Sequence, residues 1–202
     1  MHRHCLFQIG TIWIWDFARH ALTRFTAGPE NGTNPVWTRD GQRIAFFSIR
    51  AGSPAVVVQR ADGAGAVEQL ATRPDMQLPK AAVPDGKSIL TVGPGDGVGL
   101  VSLDRRSDTR MLLDALRTVN NPDVSPDGRW LAYESDESGV NEVYVRPFPN
   151  VNDGRWQVST AGGVQPVWAR NGGELFYLDG DGTAFSRPLR FRKPPRSTPA
   201  DR

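Results

Sequence analysis

The chain has 202 residues, enough for one sizeable core or for several repeats sharing a continuous one. Its hydrophobic share is 39%, and 21 glycines with 16 prolines favour many short strands joined by turns over long helices. A formal net charge of +2 leaves no strong electrostatic case for nucleic acid or an anionic membrane as partner, no apolar run reaches the ~20 residues of a membrane-crossing helix, and the single Cys5 excludes an internal disulfide.

At the N-terminus, Met1-His2-Arg3-His4 followed by the apolar stretch 5–15 has the outline of a short signal peptide. Residues 12–26 also match the later repeats, and a strand buried on both faces is equally apolar, so the stretch is read as strands. It forms a half-blade over 10–26, with 11–17 and 22–26 as the third and fourth strands of a repeat. A turn signal then occurs four times: Trp37-Thr38-Arg39-Asp40-Gly41, Val83-Pro84-Asp85-Gly86, Ser125-Pro126-Asp127-Gly128 and the degenerate Trp168-Ala169-Arg170-Asn171-Gly172. The steps from Asp40 to Asp85, Asp127 and Asn171 are 45, 42 and 44 residues. A Pro precedes each turn (Pro35, Pro79, Pro122, Pro166), and short apolar runs come after it, as strands rather than helices. A period in this range marks a propeller blade of four strands.

The expected architecture is therefore an all-β propeller of about four four-stranded blades, an open or partial ring over 10–189. The blades span 34–72, 78–114, 121–160 and 165–189, and the basic, Pro-rich 190–202 is expected to be a disordered tail. An open arc leaves apolar blade faces exposed, so self-association is expected.

The repeat resembles the TolB-type, WD-repeat-like β-propeller, whose unit reads Pro-x-Trp-Ser-Pro-Asp-Gly, then an Ile-Ala-Phe strand, an Ile-Tyr-Val strand and Leu-Thr. Residues 35–46 and 122–145 carry the pattern well, 166–177 partly, and 79–90 without the Trp. The wording around Asn141-Glu142-Val143-Tyr144-Val145-Arg146-Pro147-Phe148-Pro149 is similar to propellers at the C-terminal end of bacterial membrane-anchored serine/threonine kinases. Other relatives precede the hydrolase domain of prolyl oligopeptidase-like peptidases. The resemblance implies an extracytoplasmic or periplasmic sensing or interaction domain, without kinase or peptidase residues of its own.

Chemistry is sparse. The histidines are His2, His4 and His20, far in sequence from the Ser-containing turns, and no Gly-x-Ser-x-Gly elbow exists, so no nucleophilic triad is expected. His2, His4 and Cys5 lack further ligands for a metal and read as a frayed end. The run Gly93-Pro94-Gly95-Asp96-Gly97-Val98-Gly99 leads into a strand, where a phosphate loop must open a helix; it reads as a hairpin. Asp179-Gly180-Asp181-Gly182 lacks the closing Glu of a calcium loop and reads the same way. Neither a catalytic residue nor a cofactor is expected.

What remains is a non-enzymatic propeller that binds a protein or peptide partner, or an accessory module of a kinase or peptidase. The loops leading into each first strand lie on one rim, because rigid blades hold variable loops in place. They carry Glu30, Asn31, Asn34, Asp75, Gln77, Arg117, Asn120 and Gln165 as the expected partner-binding set.

Overall fold

The computed structural model describes residues 3–8, 10–26, 32–50, 52–72, 77–93, 97–104, 109–114 and 118–189; the expected tail, 190–202, lies outside them. Every described regular element is a strand, and within each sheet a strand pairs antiparallel with its neighbour in sequence. The first sheet is β1 (Arg3–Gln8), β2 (Thr11–Asp16) and β3 (Ala21–Arg24). The second is β4 (Gly32–Trp37), β5 (Arg43–Arg50), β6 (Ser53–Arg60) and β7 (Glu68–Thr72). The third is β8 (Leu78–Ala82), β9 (Ser88–Gly93), β10 (Gly97–Ser102) and β11 (Thr109–Leu113). The fourth is β12 (Val119–Val124), β13 (Trp130–Ser135), β14 (Glu142–Pro147) and β15 (Trp156–Gln157). The fifth is β16 (Val164–Trp168), β17 (Glu174–Leu178) and β18 (Ala184–Pro188).

The propeller thus has five blades, which corrects the expected four. A count by turn signals misses the first sheet, because the signal sits between the first and second strands of a repeat. Among the described residues that sheet has no first-type strand and therefore no such turn. Hydrogen bonds fix the correspondence. In the first sheet, Ile12 N donates to Thr26 Oγ1 (2.9 Å) and Phe25 N to the Ile12 carbonyl (2.9 Å). In the fourth, Val143 N donates to Ser159 Oγ (2.8 Å) and Val158 N to the Val143 carbonyl (2.8 Å). Strand β2 is therefore the counterpart of β14, and β1 of β13. The Thr or Ser that ends each of these blades caps a third-strand N–H that would otherwise be buried without an acceptor.

The repeated turn is hairpin chemistry. Gly128 N donates to the Ser125 carbonyl (2.8 Å), and Asp127 Oδ1 accepts from Ser125 Oγ (2.6 Å) and Arg129 N (3.1 Å). In the second sheet, Asp40 Oδ1 accepts from Thr38 Oγ1 (2.6 Å) and Gln42 N (2.9 Å). Asn171 Oδ1 does the same for Gly173 N (2.9 Å), so the Asn keeps the acceptor that matters. The glycines at 41, 86, 128 and 172 have φ of 66°, 72°, 71° and 70°, where a side chain is strained.

Four apolar clusters join consecutive sheets. Ile12, Ile14 and Phe25 meet Ile44, Phe46 and Val57 between the first and second. Ala45, Val56 and Val58 meet Ile89, Val101 and Leu103 between the second and third. Leu90, Val98 and Leu113 meet Leu131, Tyr133 and Tyr144 between the third and fourth. Trp130, Ala132, Val143 and Val145 meet Trp168 and Leu175 between the fourth and fifth. Alternation along one strand serves two interfaces: Leu131 and Tyr133 face back, Trp130 and Ala132 face forward. The central strands are therefore buried on both faces, as in β13, where all six residues are buried.

Candidate binding cleft on the inner strands

The first strands of the second to fifth sheets, β4, β8, β12 and β16, lie side by side along the inside of the array, β4 against β8, β8 against β12 and β12 against β16. Each breaks register with its partner around its Pro, between Thr33 and Val36, Pro79 and Ala81, Asn120 and Asp123, and Val164 and Val167. The extra residue of such a bulge bends the strand and re-aims a side chain. The residue before the Pro avoids the right-handed helical region. At three of the four bulges it is left-handed: Asn34 (φ 52°), Asn121 (φ 46°) and Gln165 (φ 53°). Asn tolerates that region through its short polar side chain. Gln165 is fixed in it by its backbone N–H, which donates to the buried Glu134 Oε2 at 2.6 Å.

Between β8, β12 and β16 the bulges open a cleft of about 370 Å³. Its lining combines Lys80, Asn121, Asp123 and Gln165 with the apolar surfaces of Ala81, Pro122, Pro166 and Val167. Asp123 also ties two blades together: its Oδ2 accepts from Trp168 N (3.0 Å) and its carbonyl from Trp168 Nε1 (3.3 Å). Burial pushes the Asp123 carboxyl above the usual range, partly offset by the Trp168 and Val124 N–H groups and by Arg39. The cleft therefore offers one ammonium, one carboxyl held back from ionising, two side-chain amides and proline surface. That set suits an extended peptide, whose backbone needs donors and acceptors at regular intervals.

Of the expected rim residues, Glu30, Asn31, Asp75 and Arg117 lie outside the described residues. Gln165 lines the cleft, and Asn34 holds the matching bulge of β4. Asn120 is half-buried, paired in register with Glu134 one step before the bulge. Gln77 turns inward: it is buried, and its Oε1 accepts from Thr91 Oγ1 at 2.8 Å. Sequence reasoning misses Lys80, Asn121 and Asp123. A signal for them exists, since each directly adjoins one of the repeated prolines.

The other candidates resolve into turns. Gly93 pairs with Gly97 at a hairpin end, with 94–96 outside the described residues. Asp179 Oδ1 accepts from Asp181 N (3.0 Å) and Thr183 N (2.8 Å), so it closes its own loop. Among the described residues, no group of three or more His, Cys, Asp or Glu is placed to hold a metal. Cys5 sits on paired strand β1, half-buried against the core between the first two sheets. Burial pushes its thiol up to about 12, with the Trp37 indole pulling slightly the other way.

No known family profile matches the chain. The putative TolB of Agrobacterium tumefaciens superposes with a TM-score of 0.76 at 16% identity, over 91% of this chain and 76% of that one. The fold is that of a TolB-type β-propeller. TolB of Acinetobacter baumannii gives a TM-score of 0.69 at 18% identity, over 90% of this chain and 49% of its own. In sequence, the "Uncharacterized peptidase YuxL" of Bacillus subtilis is 24% identical over 178 residues, 66% of this chain and 27% of that protein. The chain thus spans about a quarter of YuxL and half of the Acinetobacter TolB. None of these three is a kinase propeller.

Proposed function

We propose that the chain is a non-enzymatic propeller that holds an extended peptide or protein segment in the cleft between β8, β12 and β16. The observation that carries the reading is the repeated X-Pro bulge. It aligns Asn121 and Gln165 beside Lys80 and Asp123 on a rigid wall, with polar groups at intervals a strand-like ligand can meet. Binding of a protein partner on the extracytoplasmic side accords with the likeness to TolB.

Panning a random linear-peptide phage library against the chain tests the proposal. Enriched peptides should bind Lys80→Ala/Gln165→Ala about a hundredfold more weakly, at about 1–1.5 kcal/mol per lost polar contact, with an unchanged melting temperature. No enrichment, or equal binding by the double variant, would sink it.

The match to YuxL favours a second reading, a propeller module accompanying a peptidase. A hydrolase reading frame continuous with this one would support it.

A further inference from the structure

We infer that copies of this chain associate head to tail, the outer face of the fifth sheet of one copy packing on the outer face of the first sheet of the next. In the fifth sheet, Trp168 and Leu175 pack back on the fourth. By alternation Val167, Phe176 and Leu178 face away from it. Val167 pairs with Phe176 as Asp123 pairs with Ala132 in the fourth sheet, and Ala132 lies in the interface with the fifth. The outer face of the fifth sheet is therefore the kind that each earlier blade turns towards its successor.

The first sheet shows the reverse. Ile12 and Ile14 pack on the second sheet, which leaves Trp13, Trp15 and Leu22 on the other side. Trp13 takes the place that Tyr144 has in the fourth sheet, and Tyr144 faces back to the third. This face is the kind that each later blade turns towards its predecessor. Phe17 joins it through edge contacts with Trp15 and His4.

Both faces are apolar and open. Phe17 is 45% exposed and Leu22 49% on the first sheet, Val167 56% and Phe176 43% on the fifth. The four interfaces inside the chain are repeats of one stacking step, and a second copy supplies the next step with the surface each face is built for. Because the two faces differ, the contact is heterologous, and it closes only when the rotation permits. It shares Val167 with the peptide cleft and leaves Lys80, Asn121, Asp123 and Gln165 free.

The test uses two variants altered at exposed positions, Phe17→Asp/Leu22→Asp and Val167→Asp/Phe176→Asp. Mass is read by sedimentation across a hundredfold concentration range, with circular dichroism as the folding check. The unaltered chain should grow in mass with concentration. Each variant alone should stay a monomer, while their equimolar mixture forms a one-to-one dimer through the single intact pair of faces. An unaltered chain that stays monomeric across that range would overturn the inference. Self-assembly of either variant alone, or a mixture that stays monomeric, overturns it equally.

Discussion

Replacing Ser159 by Ala probes the latch that ends the fourth blade. Strand β15 has only two residues, so the edge of β14 depends on the residues just beyond β15. Ser159 Oγ accepts from Val143 N at 2.8 Å and donates to the buried Glu142, whose other oxygen accepts from Gly162 N at 3.1 Å. The latch is shielded from water, with Ser159 and Glu142 each 2% exposed. The Ala variant leaves the Val143 N–H without its acceptor, at about 1–3 kcal/mol, and removes a hydrogen bond to a carboxylate, worth about 1.5–3 kcal/mol. The expected loss is about 3–5 kcal/mol, or about 6–20 °C in melting temperature for a chain of this length. Thr26→Val is the control, because Thr26 makes the same bond to Ile12 N and its hydroxyl has no carboxyl partner among the described residues. It should cost about 1–2 kcal/mol. Urea unfolding monitored by tryptophan emission and circular dichroism measures both. Equal losses in the two variants, or a Ser159→Ala loss under about 0.5 kcal/mol, would refute the latch, since substitution at an unremarkable exposed site gives as much as that.

Three further outcomes are expected. Gly163→Ala should destabilise the same corner, because a Cβ there would collide with Ser159 Oγ; Ser159→Ala/Gly163→Ala should be less destabilised than the sum of its parts, as double-mutant thermal melts will show. Cys5, with its thiol pushed up to about 12, should resist iodoacetamide at about pH 8 in the folded chain and react on unfolding, read by intact mass. Asp123 has a folded pKa above its unfolded one, so its contribution favours folding at acid pH and is lost as pH rises through the raised value. The stability difference between Asp123→Asn and the unaltered chain should therefore shift in the variant's favour between about pH 4 and pH 7, measured by urea midpoints; a difference independent of pH would contradict the buried carboxyl.

The period is legible in the sequence because the Asp-Gly turn uses one set of hydrogen bonds in every blade that has it, and even Asn171 preserves the acceptor. The blade count is not, because the counting mark sits beside a first-type strand, and the first sheet has none among the described residues. Residues 3–8 carry no turn and no alternation that marks a strand, and the strand shows only in its pairing with β2. The candidate site is half legible. Gln165 lies on the cleft, and Asn34 sits at the matching bulge. Gln77 shows the limit of reading polarity. Its amide meets Thr91, 14 residues away, in a buried contact that only folding assembles. Gly99 leaves the room for both, since a Cβ there would come within 2.7 Å of Thr91 Oγ1. Lys80, Asn121 and Asp123 escape a reading that treats the prolines as punctuation, when the bulge beside each one directs its neighbours into the cleft.

The bulged inner strands also separate the variable residues from those that build the sheet. The bend and the Pro recur, while the flanking residues differ: Asn34 and Val36, Leu78 and Lys80, Asn121 and Asp123, Gln165 and Val167. Each blade contributes a short, replaceable word to the wall without disturbing the grammar of the sheet behind it. Under the proposed peptide-binding function, two propellers with one backbone would then read different peptides, and a change of partner would need only a few substitutions beside prolines that stay in place.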